Sequence, residues 1–470
     1  MFSFRRVALL IHVVLCLSGF CRAAEERPNV VLLLADDLGW TGLRCFGSDF
    51  YETPHLDALA KQSLKFTQAY AACTVCSPTR ASIMTGMYPA RLHLTDFIAG
   101  QNRPFAKLRI PDWTKQLEAR HVTIAEALKA NGYTTGHVGK WHLAGRNAPG
   151  TEPTEQGFDV SYQKPPGTRG YLLKGTQSAA GTNYLTDYLT DRACEFIEAA
   201  KAQPFFLYFA YHVPHTPIQG RRELVQHFTD KVNAQAVHKN PQYAAMVASL
   251  DESVGRLLQQ LKDSGVHDRT LVVFTSDNGG LTQRYGKHDG FTENLPLRRG
   301  KGSAYEGGVR VPTIMHWPGV TVPGSVSDEP IMTTDLYPTF LEATRTAGDA
   351  RHSRAVDGRS LVALMRDPNT QFERDLFWHY PHYHAGGDSP YSAIRSGDWR
   401  LIEFHEDQSL ALYDLSQDIG EQHNLAEQHP QAAQQLLARL RAWRQTVDAQ
   451  MPTPNPDYDA ERARQVKRNR

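Results

Sequence analysis

Net charge is almost absent from this chain: 51 Lys and Arg stand against 50 Asp and Glu, a formal +1 over 470 residues. No global field points to nucleic acid or to a strongly anionic membrane, so any anion recognition has to be local. Cysteine is scarce as well. Of six cysteines, Cys16 and Cys21 fall in an N-terminal leader. The remaining Cys45, Cys73, Cys76 and Cys194 are too few and too scattered for a disulfide framework or a four-cysteine zinc site. Repeats and low-complexity linkers are lacking, and with 41% hydrophobic residues the chain can bury one large core or two unequal ones. The apolar run VALLIHVVLCLSGF is shorter than a membrane-spanning helix and is interrupted by His12. Preceded by MFSFRR and followed by CRAAEE, it has the layout of a signal peptide over residues 1–24, cut near Ala23 or Ala24. The mature protein is therefore expected to be exported, periplasmic or secreted, with no stable membrane anchor.

What is present begins with buried strands. NVVLLLA (29–35) is a continuous apolar run of strand length that stops at Asp36 and Asp37; LVVFTS (271–276) stops in the same way at Asp277 and Asn278. FFLYFAY (205–211) ends in HVPHTP, and the weaker YTTGHV (133–138) ends in GKWH. Between them lie amphipathic stretches: LDALAKQSLKF, TIAEALKANG with Thr123 and Glu126 spaced as a capping box, YLTDRACEFIEAA, and YAAMVASLDESVGRLLQQLKDSG. Alternating strand and helix predicts an α/β fold with a large, mostly parallel sheet sandwiched by helices. In such sheets ligands bind outside the carboxyl ends of the strands, so residues distant in sequence converge. Asp36, Asp37, Asp277 and Asn278 offer hard oxygen donors with no imidazole beside them, which suits Ca²⁺, or less well Mg²⁺, and does not suit zinc. Taken singly, each pair is equally well read as a helix cap or turn.

CTVCSPTR (73–80) is the most informative stretch. By itself it is open to several readings, among them a redox pair, half a metal site, a Cys73–Cys76 disulfide and buried thiols. CSPTR, continued by ASIMTG, resembles the sulfatase signature of cysteine, any residue, proline, any residue, arginine. ADDLGW, GKWHLAG, HTPIQ, SDNGG and GKGSAYEGGVRVP follow in that family's order. The resemblance, over residues 27–455, implies an alkaline phosphatase-like fold and hydrolysis of sulfate monoesters. It also implies oxidation of Cys76 to formylglycine by a maturation enzyme that reads Pro78 and Arg80. Thr79 stands where the family often has serine, a change of one hydroxyl for another.

Carried over position by position, the resemblance makes Asp36, Asp37, Asp277, Asn278 and the modified Cys76 ligands of one divalent ion. Arg80 would pair with the metal-site carboxylates or with the hydrated aldehyde, from the first turn of a helix whose N-terminus faces the anion. Lys140 and His142 would hold the hydrated aldehyde and remove its second proton, while His215 and Lys301 would bind the sulfate and assist departure of the alcohol. Alternatives are a phosphonate or phosphate ester hydrolase of the same superfamily, and a non-catalytic protein binding sulfated glycans if Cys76 is not matured.

Beyond about residue 370 the pattern changes. SAIRSGDWRLIEF and ALYDL read as a small antiparallel sheet, PQAAQQLLARLRAWRQTVDAQ as an amphipathic helix, PTPNPDYD as an irregular closing segment and ERARQVKRNR as a solvated basic tail. The expected division is a catalytic domain over 25–370 and a C-terminal subdomain over 371–470. WHYPHYH, with His379, His382 and His384, reads as a loop before the small sheet. His384, together with His93 and Asp96 of HLTDF, is a candidate for the substrate rim. The family context points to a sulfated mono- or oligosaccharide of galactose or N-acetylgalactosamine type, and to exo-acting bacterial enzymes.

Overall fold

The computed structural model describes residues 27–468 apart from 147, 176, 180, 233–234, 284–289 and 386. The leader expected over residues 1–24 lies outside the described residues. The run Asn29–Ala35 is the central strand of an eight-stranded sheet and is buried along its whole length. On one side it pairs in parallel with Phe205–Ala210, on the other with Thr270–Ser276, so that Val30 lies between Phe206 and Leu271. Thr134–Gly139 continues the parallel set beyond Phe205–Ala210 and pairs in turn with Val160–Tyr162. The other flank is mixed. Thr313–His316 runs antiparallel to both Thr270–Ser276 and Leu64–Phe66, and Ser325–Ser327 closes that edge.

Period-two alternation explains why the central strand reads as unbroken apolar sequence. Val31, Leu33 and Ala35 enter one core with the helices Leu185–Ala200 and Pro241–Asp263. Val30, Leu32 and Leu34 enter a second core with Cys76–Thr85, Ile124–Ala130 and Leu336–Thr344. Both sheet faces are covered. The Thr123–Glu126 capping box forms as expected, with reciprocal hydrogen bonds of 3.1 and 2.7 Å.

A four-stranded antiparallel sheet of Asp375–Tyr380, Tyr391–Ser396, Trp399–Phe404 and Leu410–Asp414 packs with the helix Pro430–Thr446 in a third core. That core includes Tyr70, Ala72, Cys73 and Val75 from the segment leading into the helix at Cys76. No helix among the described residues is long and apolar enough to cross a membrane.

Three local expectations are corrected. LDALAKQSLKF is not one helix: Pro54–Ala60 is helical and Leu64–Phe66 is a strand. The hydroxyl of Ser63 donates to the Leu59 carbonyl at 2.6 Å and closes the turn, and pairing with Thr313–His316 and Ser325–Ser327 overrides the helical pattern. WHYPHYH is only partly a loop, because Trp378, His379 and Tyr380 belong to a strand. The closing segment and tail are also more ordered than expected: Thr453–Pro454 pairs with Leu108–Arg109, Ala460–Arg468 is helical, and Arg462 lies over the Phe105 ring at 3.5 Å.

Candidate active site

Four parallel strands end side by side, and each delivers polar groups to the same edge of the sheet. Asp36 and Asp37 follow Asn29–Ala35, Asp277 and Asn278 follow Thr270–Ser276, His212 and His215 follow Phe205–Ala210, and Lys140 and His142 follow Thr134–Gly139. Asp36, Asp37, Lys140, His142, His212 and His215 line a cavity of about 500 Å³ whose walls also include Cys76, Lys301 and His384, while Asp277 and Asn278 lie behind that wall, fully buried.

Cys76 is the first residue of the helix Cys76–Thr85, every residue of which is buried. Arg80 is therefore on the second turn, one turn later than the sequence suggests. Its fork closes on Asp277, with Nε and Nη2 donating to Oδ2 at 2.9 and 2.7 Å, while Nη1 donates to the Lys140 carbonyl at 2.6 Å. The other residues of CSPTR have structural work. Ser77 Oγ accepts the Ile98 amide at 3.1 Å; Thr79 Oγ1 accepts the Cys73 amide at 3.2 Å and donates to the Cys73 carbonyl at 3.1 Å. The Thr79 position requires a hydroxyl, which serine would also supply. Cys73 and Cys76 are both free thiols, which removes the disulfide reading.

The charges are closely matched. Lys140 Nζ donates to Asp36 Oδ2 at 2.6 Å, and Lys301 Nζ donates to both oxygens of Asp37 at 2.6 and 2.9 Å. Burial would push Asp36 up, but Lys140, His215, Arg80 and Lys301 outweigh it and hold the carboxyl well below its ordinary range. Asp37 is lowered in the same way, against burial, chiefly by Lys301. Asp277 is pushed up to about 6 by burial and by the neighbouring Asp36, with Arg80 opposing.

Two of the cavity histidines, His142 and His215, have fixed tautomers. His142 Nε2 lies 2.5 Å from the Ile98 carbonyl and must donate to it, so Nδ1, at 3.3 Å from Cys76 Sγ, is the lone-pair nitrogen. Burial, then Lys140, pushes the His142 imidazole down to about 3, so it is neutral near pH 7. His215 Nδ1 donates to the Thr216 carbonyl at 2.7 Å, leaving Nε2 to face Asp37 Oδ2 at 3.7 Å.

These residues fit a divalent cation. Asp36 Oδ1 and Asn278 Oδ1 are buried and have no hydrogen-bond partner, a costly arrangement that a cation would relieve. Asp36, Asp37 and His215 bring ligand atoms within 4.8 Å of one another, so an imidazole does stand beside the carboxylates, against the expectation from sequence, because the loop after Phe205–Ala210 folds over the neighbouring strand end. Asn278 Nδ2 donates to Asp37 Oδ1 at 2.8 Å, which draws the second strand end into the same cluster.

The rim candidates separate. His384 lines the cavity, whereas His93 and Asp96 do not. His93 Nε2 faces the Asp448 carbonyl at 2.8 Å, and Asp96 is fully buried, accepting from the Tyr380 hydroxyl at 2.8 Å. His379 faces Ser392 and the Gln450 carbonyl, and His382 faces Thr95, both away from the cavity. Sequence reasoning missed Tyr171, whose hydroxyl donates to the carbonyls of His212 and His215 and pins their loop. It also missed Tyr243, whose hydroxyl donates to the Asp37 carbonyl at 2.9 Å where that backbone takes a φ of 65°. Both tyrosines arrive from elements with no motif of their own.

The sulfatase family model matches residues 28–346, and a model for the C-terminal part of N-sulphoglucosamine sulphohydrolase matches residues 300–446. A sulfatase of Formosa agariphila is 32% identical, covering 93% of this chain and 92% of its own length. An N-acetylgalactosamine-6-sulfatase of Rattus norvegicus is 31% identical over 80% of this chain and 73% of its own. Among solved structures, Ps i-CgsB in complex with k-i-k-neocarrahexaose superposes with a TM-score of 0.75 at 29% identity, covering 94% of this chain and 97% of that one.

Proposed function

The chain belongs to the sulfatase family and is a sulfuric ester hydrolase, and from that premise we propose that it removes sulfate from saccharides, using Cys76 as the precursor of its nucleophile. The observation that carries the reading is the position of Cys76 Sγ, 3.3 Å from a neutral His142 nitrogen, on the wall of the cavity lined by Asp36, Asp37 and Lys301. Oxidation of this residue to formylglycine by a maturation enzyme would supply a hydrated aldehyde, with one hydroxyl to attack sulfur and a second to let sulfate leave without water attacking it. Bound at Asp36, Asp37, Asp277, Asn278 and residue 76, a divalent ion, Ca²⁺ before Mg²⁺ given the oxygen donors, would lower the pKa of the attacking hydroxyl and neutralise a sulfate oxygen.

The chain's own groups then divide the remaining work. His142 Nδ1 is oriented by the Ile98 carbonyl to take a proton from residue 76. Lys140 and Lys301 place positive charge beside Asp36 and Asp37 without water between them, where it also faces the sulfate oxygens. His215 presents only Nε2 to the cavity; because Nδ1 already donates to the Thr216 carbonyl, Nε2 donates to the departing alcohol oxygen only as the imidazolium, a form that burial disfavours and the facing Asp37 and Asp36 carboxylates favour. Arg80 holds Asp277 in place through the fork and, through the Lys140 carbonyl, fixes the backbone from which Lys140 projects. His384 at the wall is neutral, pushed down to about 3 by burial and then by Lys301, and suits hydrogen bonding to sugar hydroxyls. The relative named for N-acetylgalactosamine 6-sulfate and the solved relative with a neocarrahexaose support a galactose or N-acetylgalactosamine type of substrate.

The test is to weigh the Cys76 peptide of the protein from its native host and to assay the same preparation on a panel of sulfated sugars, before and after chelation. Conversion of Cys76, turnover abolished by chelator and restored by Ca²⁺, and a larger loss on saccharide than on aryl sulfate for His384→Ala are expected. An unmodified thiol in every molecule overturns the nucleophile.

A further inference from the structure

A second cavity adjoins the first. It measures about 550 Å³, comparable to the catalytic one at about 500 Å³, and His384 lines both. The shared wall is tightly built. A Cβ on Gly302 would come within 2.0 Å of the His384 ring, so this histidine packs directly on the residue after Lys301. Gln101 lines the catalytic cavity and Arg103, two residues on, lines the second.

The second cavity is basic in a chain that is nearly neutral overall. Arg103, Lys107, Arg299 and Arg464 line it against only Asp388 and Glu406, four cations to two carboxylates, a local excess of +2. Both carboxylates are already engaged: Asp388 Oδ2 accepts the Ala304 amide at 3.1 Å, and Glu406 Oε1 accepts the Tyr383 hydroxyl at 2.5 Å. Among the described residues neither Arg299 nor Arg464 has a carboxylate within salt-bridge distance, and both side chains are exposed. Tyr383 and Tyr458 add aromatic surface to the same walls, and Tyr458 is 50% exposed. Guanidinium groups beside aromatic faces are what a pyranose carrying a sulfate or carboxylate would meet.

Building on the saccharide sulfatase reading, we propose that this second cavity binds the neighbouring anionic sugar of an oligosaccharide whose sulfated residue occupies the catalytic cavity, so that the preferred substrate is a chain with charge on consecutive residues. Lys301 sits two residues after Arg299, so the sulfate-facing cation and the second-cavity cation share one loop. His384 lies where the glycosidic link would pass.

The experiment compares three substrates: a singly sulfated monosaccharide, a tetrasaccharide sulfated only at its terminal residue, and the same tetrasaccharide sulfated on every residue. For the wild type, KM is expected to be lowest for the fully sulfated chain and to rise with ionic strength. Arg299→Gln with Arg464→Gln should raise that KM roughly tenfold, leave its kcat unchanged, and leave monosaccharide turnover within about twofold of wild type. Identical KM ratios in wild type and variant overturn the proposal. Failure of the hydrolase reading would look different, as no turnover of any of the three. Calorimetric binding of the fully sulfated tetrasaccharide to wild type and variant then decides the second cavity by itself, an unchanged or absent affinity counting against it.

Discussion

Arg80 shows how much one side chain carries here. It is fully buried, its guanidinium joins the helix of Cys76 to the strand end at Asp277 and to the backbone at Lys140, and all of these contacts need a planar fork. Arg80→Lys keeps the charge but replaces the fork with a point donor, so a destabilisation of about 2–4 kcal/mol is expected in urea titration, a readout independent of whether residue 76 is matured. A loss below about 0.5 kcal/mol would show that the fork is dispensable. Asp96 makes the opposite case. Burial pushes its carboxyl up to about 7 despite bonds from Tyr380 and the Phe97 amide, and the facing His382 is held neutral, down at about 3, by burial and then His379. A carboxyl raised on folding binds its proton more tightly in the folded state, so its contribution is complete below the unfolded value near 3.8 and is lost as pH rises through about 7. The wild type should therefore lose on the order of 3 kcal/mol relative to Asp96→Asn between about pH 4 and pH 8. Parallel stability profiles for the two proteins would sink this.

At the scale of elements, the site depends on strands ending in step. Gly139 ends its strand at a φ of 100°, and a Cβ there would lie 1.9 Å from the Ala210 carbonyl, the group that accepts the Lys140 amide at 2.7 Å. A side chain would force apart two strands whose next residues carry Lys140 and, further on, His212 and His215. Gly139→Ala is expected to cost about 3 kcal/mol or more in thermal unfolding and to reduce turnover far more than it alters overall secondary structure. Unchanged kcat with unchanged stability would contradict that geometry. The helix Cys76–Thr85 behaves differently: it is covered on every side and so shows little amphipathic pattern, which left its burial illegible in the sequence.

Across the whole molecule, a buried charge network ties the antiparallel sheet to the loop bearing Lys301. Glu306 accepts from Tyr70 at 2.7 Å, Arg310 at 3.2 Å and Arg400 at 2.9 Å, and its amide donates to Glu421 at 2.7 Å. Arg400 also donates to the Ala304 carbonyl at 2.7 Å, three residues from Lys301. Glu421 is pushed up to about 8 by burial, with Arg400 opposing. Removing the guanidinium by Arg400→Met would leave Glu306 to Arg310 and Tyr70 alone and take from Glu421 the cation beside it, at an expected loss of about 3 kcal/mol in urea titration. Since Trp378 packs in the core shared with Tyr70 and Cys73, unfolding followed by tryptophan fluorescence and by circular dichroism should remain one coincident transition. Two separated transitions would show that the C-terminal sheet unfolds independently.

The sequence by itself determined the four strands, their common direction and the polar residues at their ends, because a strand buried on both faces must be apolar throughout and any polar residue must wait for its end. It also determined the Thr123–Glu126 cap and three of the four strands of the antiparallel C-terminal sheet, whose signals are local, while Asp375–Tyr380 was hidden in the WHYPHYH stretch. Tertiary structure alone decided that Leu64–Phe66 is a strand, since its partners lie some 250 and 260 residues away in Thr313–His316 and Ser325–Ser327. It alone placed His384, and neither His93 nor Asp96, at the cavity wall, and it set a second cluster of cations beside that wall. Loops carry no periodicity to read, and where their side chains meet depends on the packing of elements that the intervening sequence does not mention.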